Sequence, residues 1–426
     1  MKEIWKPDPL IETLILPRDA DEHVVYRPSL YAIPLQYAGK SYVFHTLTKQ
    51  CIEGTLPRTA KKGEVYDDLI QASFLVPEDE EEWAFYRYVF TLADMAVNQN
   101  NGRSYTILPT LACNARCIYC YEAGMKPVTM NEETVQQTIR YILSHDTKHG
   151  VALSWFGGEP LLCPKTIDKI CSALKEKGIP YTSKTVTNGS LITPELIAKM
   201  NGLWNLSFIQ ISMDGAESDY IKRKHYYVYD QTYDRVLNNI NLLAEAGIDV
   251  SVRCNVDEEN WQNIPAFLED FASKIADREH VSIHFALLFD CRRSRNNLAM
   301  YQKVMDFDRE IQRHGFRIPE PEFAFRRVHC MADSGAEVIG PDGRLYPCEH
   351  CPEEACYGDI WNGMTNEAAR AEFCRTDEIR EECRTCPFLP DCTGFRYCPN
   401  HEANCREHRK MILEHQFRQK MSHQPL

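Results

Sequence analysis

The 426-residue chain has little that would send it out of the cell or into a membrane. Its start, MKEIWKPDPL, lacks the basic stretch and apolar run of an export signal. No segment offers the ~20 apolar residues that a membrane helix needs, so the expected location is cytoplasmic. Positive charge is in deficit: 48 Lys and Arg stand against 61 Asp and Glu, a net charge of −13. Such a chain repels a phosphate backbone, which argues against nucleic acid as a partner. Internal repeats and low-complexity tracts are missing too. Cysteine, by contrast, is plentiful at 18 residues. Without an export signal these cannot be a disulfide scaffold, because the cytosol keeps thiols reduced. Ligation of a metal or cluster is the better reading. A hydrophobic content of 44% and an aromatic content of 11% are ample for packed cores, and the length suggests two or three domains.

Residues 1–100 hold one cysteine, Cys51, and read as a separate small unit. Ser29 to Thr48 alternates apolar and polar residues on either side of AGK, a hairpin pattern. A helix over Glu64–Ala72, a short strand at Phe74–Val76 and a helix over Glu80–Val97 follow. From Tyr105 the chain alternates strands with amphipathic helices. The strands are expected at Tyr105–Leu111, Val151–Phe156, Tyr181–Thr187, Leu206–Met213, Asp249–Asn255 and Val281–Leu288. The helices are expected near 131–145, 164–177, 193–201, 230–246 and 261–276. Six such units imply a parallel sheet covered by helices, an α/β fold. The region from Arg327 to Arg406 holds ten cysteines, many prolines and little periodicity. It needs cross-linking, and in a reducing compartment metals are the available means. The tail from Arg406 to His423 is polar and helical in pattern.

The chemistry is concentrated in Cys113-Asn-Ala-Arg-Cys117-Ile-Tyr-Cys120. Three soft thiolates on one loop suit an iron–sulfur cluster, which normally takes four. A missing fourth ligand would leave one iron open. A disulfide pair or a zinc knuckle is the alternative for three cysteines alone. In parallel βα folds, ligand-binding loops gather at the C-terminal strand ends. The unusual residues fall there: the cysteine loop, Gly157-Gly158-Glu159, Asn188-Gly189, Ser212-Met-Asp214-Gly215, and Arg253 with Asn255. In the C-terminal region, Cys348-x2-Cys351 and Cys383-x2-Cys386 have zinc-ribbon spacing. One zinc would leave Cys330, Cys392, Cys398 and Cys405 unexplained, whereas two clusters account for more of them. Cys51, Cys163, Cys171, Cys254, Cys291 and Cys374 are most simply unligated thiols.

The CxxxCxxC loop with Tyr119 before its last cysteine resembles the signature of the radical S-adenosylmethionine (radical SAM) superfamily. SWFGGEPLL resembles its GGE motif, and IQISMDGAES its ISLDG stretch. The resemblance implies an open parallel (β/α)6 partial TIM barrel in which Cys113, Cys117 and Cys120 hold a [4Fe-4S] cluster and SAM. Gly157, Gly158 and Glu159 would meet the SAM amino group. Asn188, Ser212 and Asp214 would lie near its ribose, and Arg223 and Arg253 near its carboxylate. Cys330, Gly343 and Cys348, followed by Cys383-x2-Cys386-x5-Cys392, resemble the SPASM extension of the same superfamily, which carries auxiliary [4Fe-4S] clusters. By that resemblance Cys383, Cys386, Cys392 and Cys405 hold one cluster. Cys330, Cys348 and Cys398 hold the other, with Cys351 or Cys356 as its fourth ligand. Five residues separate Cys392 from Cys398 where the family usually has three.

The implied organisation is a winged-helix-like α+β peptide-recognition or capping unit at 1–100, the barrel at 101–326, and a cysteine-rich iron–sulfur domain with a tail at 327–426. The implied activity is reductive cleavage of SAM to a 5′-deoxyadenosyl radical that abstracts hydrogen from a ribosomally made peptide, installing a thioether or carbon–carbon cross-link. A formylglycine-generating sulfatase maturase is the alternative, and a zinc-stabilised binding module a distant third. The implied partners are a precursor peptide or protein and a one-electron donor such as flavodoxin or ferredoxin.

Overall fold

A computed structural model describes residues 2–15, 17–63, 65–98, 103–227, 232–288, 297–318, 320–325, 336–350, 353–373, 381–392 and 405–422. Cys330, Cys351 and Cys398, expected as ligands, lie outside the described residues, as do Cys291 and Cys374.

Six parallel strands run side by side in chain order: Arg103–Ile107, Val151–Trp155, Tyr181–Thr187, Leu206–Met213, Val250–Val256 and Val281–Leu287. The intervening helices are amphipathic and close their N-termini locally. Asn131 accepts from Thr134 N at 2.8 Å and Thr193 from Leu196 N at 3.3 Å, satisfying donors that a helix start leaves open. Buried side chains such as Trp155, Ile211, Val252 and Phe267 form one continuous core between sheet and helices. This is the expected partial barrel. The first strand ends at Ile107, earlier than the pattern through Leu111 implied. Beyond it, Leu111 N bonds Val128 O and Met130 N bonds Pro109 O, so the chain is already folding back as a loop. The reading also omitted helices at Glu217–Lys224 and Asn297–Arg313.

The C-terminal region continues this sheet. Glu337–Ile339 pairs in parallel with the first barrel strand, then turns at Pro341-Asp342-Gly343 into the antiparallel strand Arg344–Tyr346. Gly343 has φ +82°, and a Cβ there would lie 2.4 Å from the Trp361 ring, so the turn admits only glycine.

The first hundred residues form a four-stranded antiparallel sheet with Ala32–Tyr37 as an outer strand. The hairpin to Lys40–His45 turns through Ala38 and Gly39, both at positive φ, as a two-residue loop requires. One face of this sheet packs on Ile70, Phe74 and Leu75 of its own unit. The other is shared: Tyr31, Phe44 and Tyr86 lie in one cluster with Phe325, Cys383, Cys386, Leu389 and Phe417. The unit expected to stand apart therefore packs directly against the cysteine-rich region. The tail helix Cys405–Ser422 lies on it through Phe417, whose ring is 5.3 Å from Tyr42 and 5.5 Å from Trp5.

Candidate active site

The loop carrying Cys113, Cys117 and Cys120 leaves the first barrel strand at its C-terminal end and is fastened on three sides. On one side, Gly158 N bonds Thr110 O at 3.0 Å and Glu159 N bonds Ala112 O at 2.9 Å. A Cβ on Gly157 would sit 2.5 Å from Thr110 O and one on Gly158 2.3 Å from Ala112 O, so both glycines are needed for this approach. On a second side, Asn188 Nδ2 donates to Asn114 Oδ1 at 2.8 Å, and Asn114 Nδ2 to Ser190 Oγ at 2.9 Å. On the third, Arg116 N bonds Lys224 O and Ile118 N bonds Arg223 O, each at 3.0 Å.

Tyr119 turns inward from this loop. Its hydroxyl donates to Asp214 Oδ2 at 2.5 Å, and Asn255 Nδ2 donates to both Tyr119 Oη (3.2 Å) and Asp214 Oδ1 (3.1 Å). Arg253 Nε completes the chain on Asn255 Oδ1 at 3.0 Å. The Lys224 ammonium, 1% exposed, lies 2.8 Å from Ser212 Oγ and 3.6 Å from Asp214 Oδ2. Burial opposes that charge, but Asp214 outweighs it and keeps the lysine protonated well above its ordinary range. Burial likewise pushes the Tyr119 hydroxyl well up, so it stays a donor. The four other rim motifs are thus tied, directly or through one residue, to the cysteine loop.

The three thiols act electrostatically on one another. Burial raises Cys113 to about 11 and Cys120 upward, so thiolate formation there needs a cationic centre to stabilise it. A half-buried loop of three neighbouring thiols fits a cluster with one free corner. The fit to an anionic group of a second ligand comes from Arg223. It is 1% exposed and pairs with Asp257 Oδ2 at 2.7 Å, yet its Nε and Nη1 have no hydrogen-bond partner. Two orphaned guanidinium donors beside the cysteine loop are suited to a carboxylate.

Several candidates also hold the site together. Glu159 is fully buried and accepts from Leu161 N (3.1 Å), Thr187 Oγ1 (2.7 Å) and Asn188 N (2.9 Å). It binds the second strand end to the third, with two of these donors on Oε1 and one on Oε2, which leaves acceptor capacity on Oε2. Ser212 and Asp214 are likewise committed to Lys224 and Tyr119. Sequence reasoning passed over Asn114, Ser190 and Lys224. For Lys224 a signal existed: acidic Glu217 and Asp219 followed by Lys222-Arg223-Lys224 match the two poles of a helix dipole.

In the C-terminal region, Cys392 lies within the fields of Cys383, Cys386 and Cys405. That set of four is the one the SPASM resemblance implied, and it differs from the zinc-ribbon pairing with Cys348. Cys348 sits apart, near Tyr121, whose ring is 4.1 Å from that of His350. The Cys356 thiol donates to Gly358 O at 3.3 Å. Among the described residues, no three His, Cys, Asp or Glu side chains converge closely enough for a single metal ion. None of the described helices is long and apolar enough to cross a membrane.

The radical SAM superfamily profile matches residues 107–271. The barrel is a radical SAM domain. That family uses a [4Fe-4S] cluster and SAM. The AdoMet-dependent heme synthase of Methanosarcina barkeri is 21% identical over 67% of this chain and 89% of its own length. The subtilosin biosynthesis protein AlbA of Bacillus subtilis is 22% identical over 92% of this chain and 88% of its own. A serine-type anaerobic sulfatase-maturating enzyme of Klebsiella aerogenes is 25% identical over 68% and 78%. Among solved structures, anSMEcpe with bound AdoMet superposes with a TM-score of 0.60 over 75% of this chain and 98% of its own, at 18% identity, a likeness of fold.

Proposed function

We propose that this radical SAM enzyme matures a ribosomally made peptide by forming a thioether or carbon–carbon cross-link. The observation that carries the reading is the extent of the similarity to AlbA, which covers 92% of the chain and so takes in most of both flanking regions. The similarity to the heme synthase covers 67%. When bound, cluster and SAM supply a 5′-deoxyadenosyl radical by one-electron cleavage.

The protein's own residues perform four tasks. Cys113, Cys117 and Cys120 would hold the barrel cluster. Gly157 and Gly158 let the backbone seat their loop. Tyr119, Asp214, Asn255 and Lys224 lock it from beneath. Arg223 would take the SAM carboxylate on its two free donors. Cys383, Cys386, Cys392 and Cys405 would hold an auxiliary cluster, and Cys330, Cys348 and Cys398 would serve a second. The outer strand Ala32–Tyr37 offers an edge to an extended substrate, although Pro34 withdraws one donor from it.

The deciding experiment combines reconstituted enzyme, SAM and a reductant with short peptides encoded beside the gene. Loss of two hydrogen atoms from the peptide, matched by 5′-deoxyadenosine, is the expected result. Oxidation of a sulfatase serine or cysteine to formylglycine, with no peptide modified, would favour the alternative that the Klebsiella relative suggests.

A further inference from the structure

A tyrosine hydroxyl withdrawn from water normally finds a partner, since an unmet buried donor costs about 1–3 kcal/mol. Tyr31 departs from that rule. It is 1% exposed and its hydroxyl has no hydrogen-bond partner. Its backbone, by contrast, is fully engaged: its N–H donates to Ser29 Oγ at 3.1 Å and its carbonyl accepts from Thr46 N at 2.8 Å. The ring packs between His45 and Tyr86, with centroids 6.3 and 6.2 Å away, which keeps the hydroxyl inside.

What lies on its other side is the cysteine-rich region. Tyr31 shares its apolar cluster with Cys383, Cys386 and Phe388. The Thr46 hydroxyl donates to the carbonyl of Pro387, the residue after Cys386, at 2.5 Å. That bond pins the Cys386 segment to the backbone on which Tyr31 hangs. The Cys386 thiol is among the groups near enough to act on the Tyr31 hydroxyl through space.

We propose that Tyr31 belongs to the site of the C-terminal auxiliary cluster, where its hydroxyl donates a hydrogen bond to the sulfur of Cys386. The inference rests on reading Cys383, Cys386, Cys392 and Cys405 as a cluster set. A neutral thiol is a weak acceptor, whereas a cluster-bound thiolate gives the orphaned donor a strong one. Donation to a cluster sulfur favours the more negative reduced state and raises its potential. The amino-terminal sheet thereby acts on a cluster whose ligands lie more than 350 residues downstream. Tyr31 also directly precedes the outer strand Ala32–Tyr37.

Tyr31→Phe removes only the oxygen. In a redox titration of the full reconstituted chain followed by electron paramagnetic resonance, one midpoint should fall. The ratio of reduced to oxidised cluster at the parental midpoint should drop by up to about tenfold, ~59 mV for one electron. The barrel cluster, recognised by its response to SAM, should keep its midpoint. Fluorotyrosine placed at position 31 is a stronger donor of nearly the same shape and should move the same midpoint upward, which covers failure of the Phe variant to load. Unchanged midpoints in both, with parental iron content, overturn the role of Tyr31. A Cys383→Ala/Cys386→Ala chain that keeps parental iron overturns instead the cluster reading beneath it.

Discussion

The two groups of cysteines in this chain are held by opposite means. Cys113, Cys117 and Cys120 sit on a loop gripped by motifs of the same barrel from Gly157 to Asn255, while Tyr121, just past it, meets His350. The group around Cys386 is gripped by residues from the other end of the molecule: Thr46 on Pro387, and Lys49 Nζ on Asp391 Oδ1 at 2.5 Å. The first arrangement makes one site rigid from within. The second couples a site to a separate surface, so that what happens at the amino-terminal sheet can be felt by the thiols beneath it.

The strongest way to break the comparison is Cys117→Ala. If the barrel loop is self-contained, 5′-deoxyadenosine production should fall by more than the roughly 10–100-fold that outer-shell changes cost metal sites. Iron bound by the C-terminal cysteines should remain. Parental SAM cleavage in this variant would remove the loop from the active site altogether.

Next in size is Lys224→Met. It leaves the Asp214 carboxylate buried, with only Tyr119 and Asn255 as donors, and loss of one partner of a buried pair costs about 3–5 kcal/mol. Denaturant unfolding should register most of that loss, and Lys224→Met/Asp214→Asn should recover part of it. A variant as stable as the parent would mean that the ammonium does not brace the loop. Gly158→Ala should cost less, about 1–3 kcal/mol, as overpacking does. Its Cβ would meet Ala112 O at 2.3 Å, so the cysteine loop must shift. Iron loading of the barrel should therefore drop while the C-terminal iron stays.

How much of this was legible in the sequence follows the same division. Strand order, most strand ends and the cysteine loop could be read because they rest on local period and spacing; Tyr181–Thr187 and Leu206–Met213 match their expected bounds, while the first strand stops short at Ile107. The bonds that Glu159 and Lys224 make were not legible, since a motif names a residue type and not its partners. The union of the amino-terminal sheet with the cysteine region was equally hidden. Tyr31, Phe44 and Phe417 look like ordinary core residues of separate segments until the fold joins them. That union also limits the use of deletion, because removing residues 1–100 would uncover Cys383, Cys386 and Phe417 together with any docking edge.

The smallest expected effect tests the cover itself, through pH. His45 is 1% exposed; its Nε2 meets Ser73 O at 3.2 Å and its Nδ1 accepts from Thr48 N at 3.2 Å. That arrangement suits a neutral ring donating from Nε2. Burial, opposed in part by the Ser73 bond, depresses its protonation from the usual 6.5 to about 3. The unfolded segment binds a proton as pH falls through about 6.5, while the folded one resists until about 3. The unfolded state therefore holds more protons across that window, and stability drops as pH decreases through it. Above 6.5 both states are neutral and the contribution is complete. The next strand turn, at Thr46 to Lys49, carries the contacts to Pro387 and Asp391, so acid should loosen this junction ahead of the barrel. Hydrogen exchange of the cluster-free chain, corrected for intrinsic rates, should show residues 42–53 and 383–392 losing protection together between pH 7 and pH 5, with Leu206–Met213 unchanged. His45→Gln should flatten that dependence. Equal loss in barrel and junction, or a pH response that survives the substitution, would show that the sheet does not hold the cysteine region in the way the contacts imply.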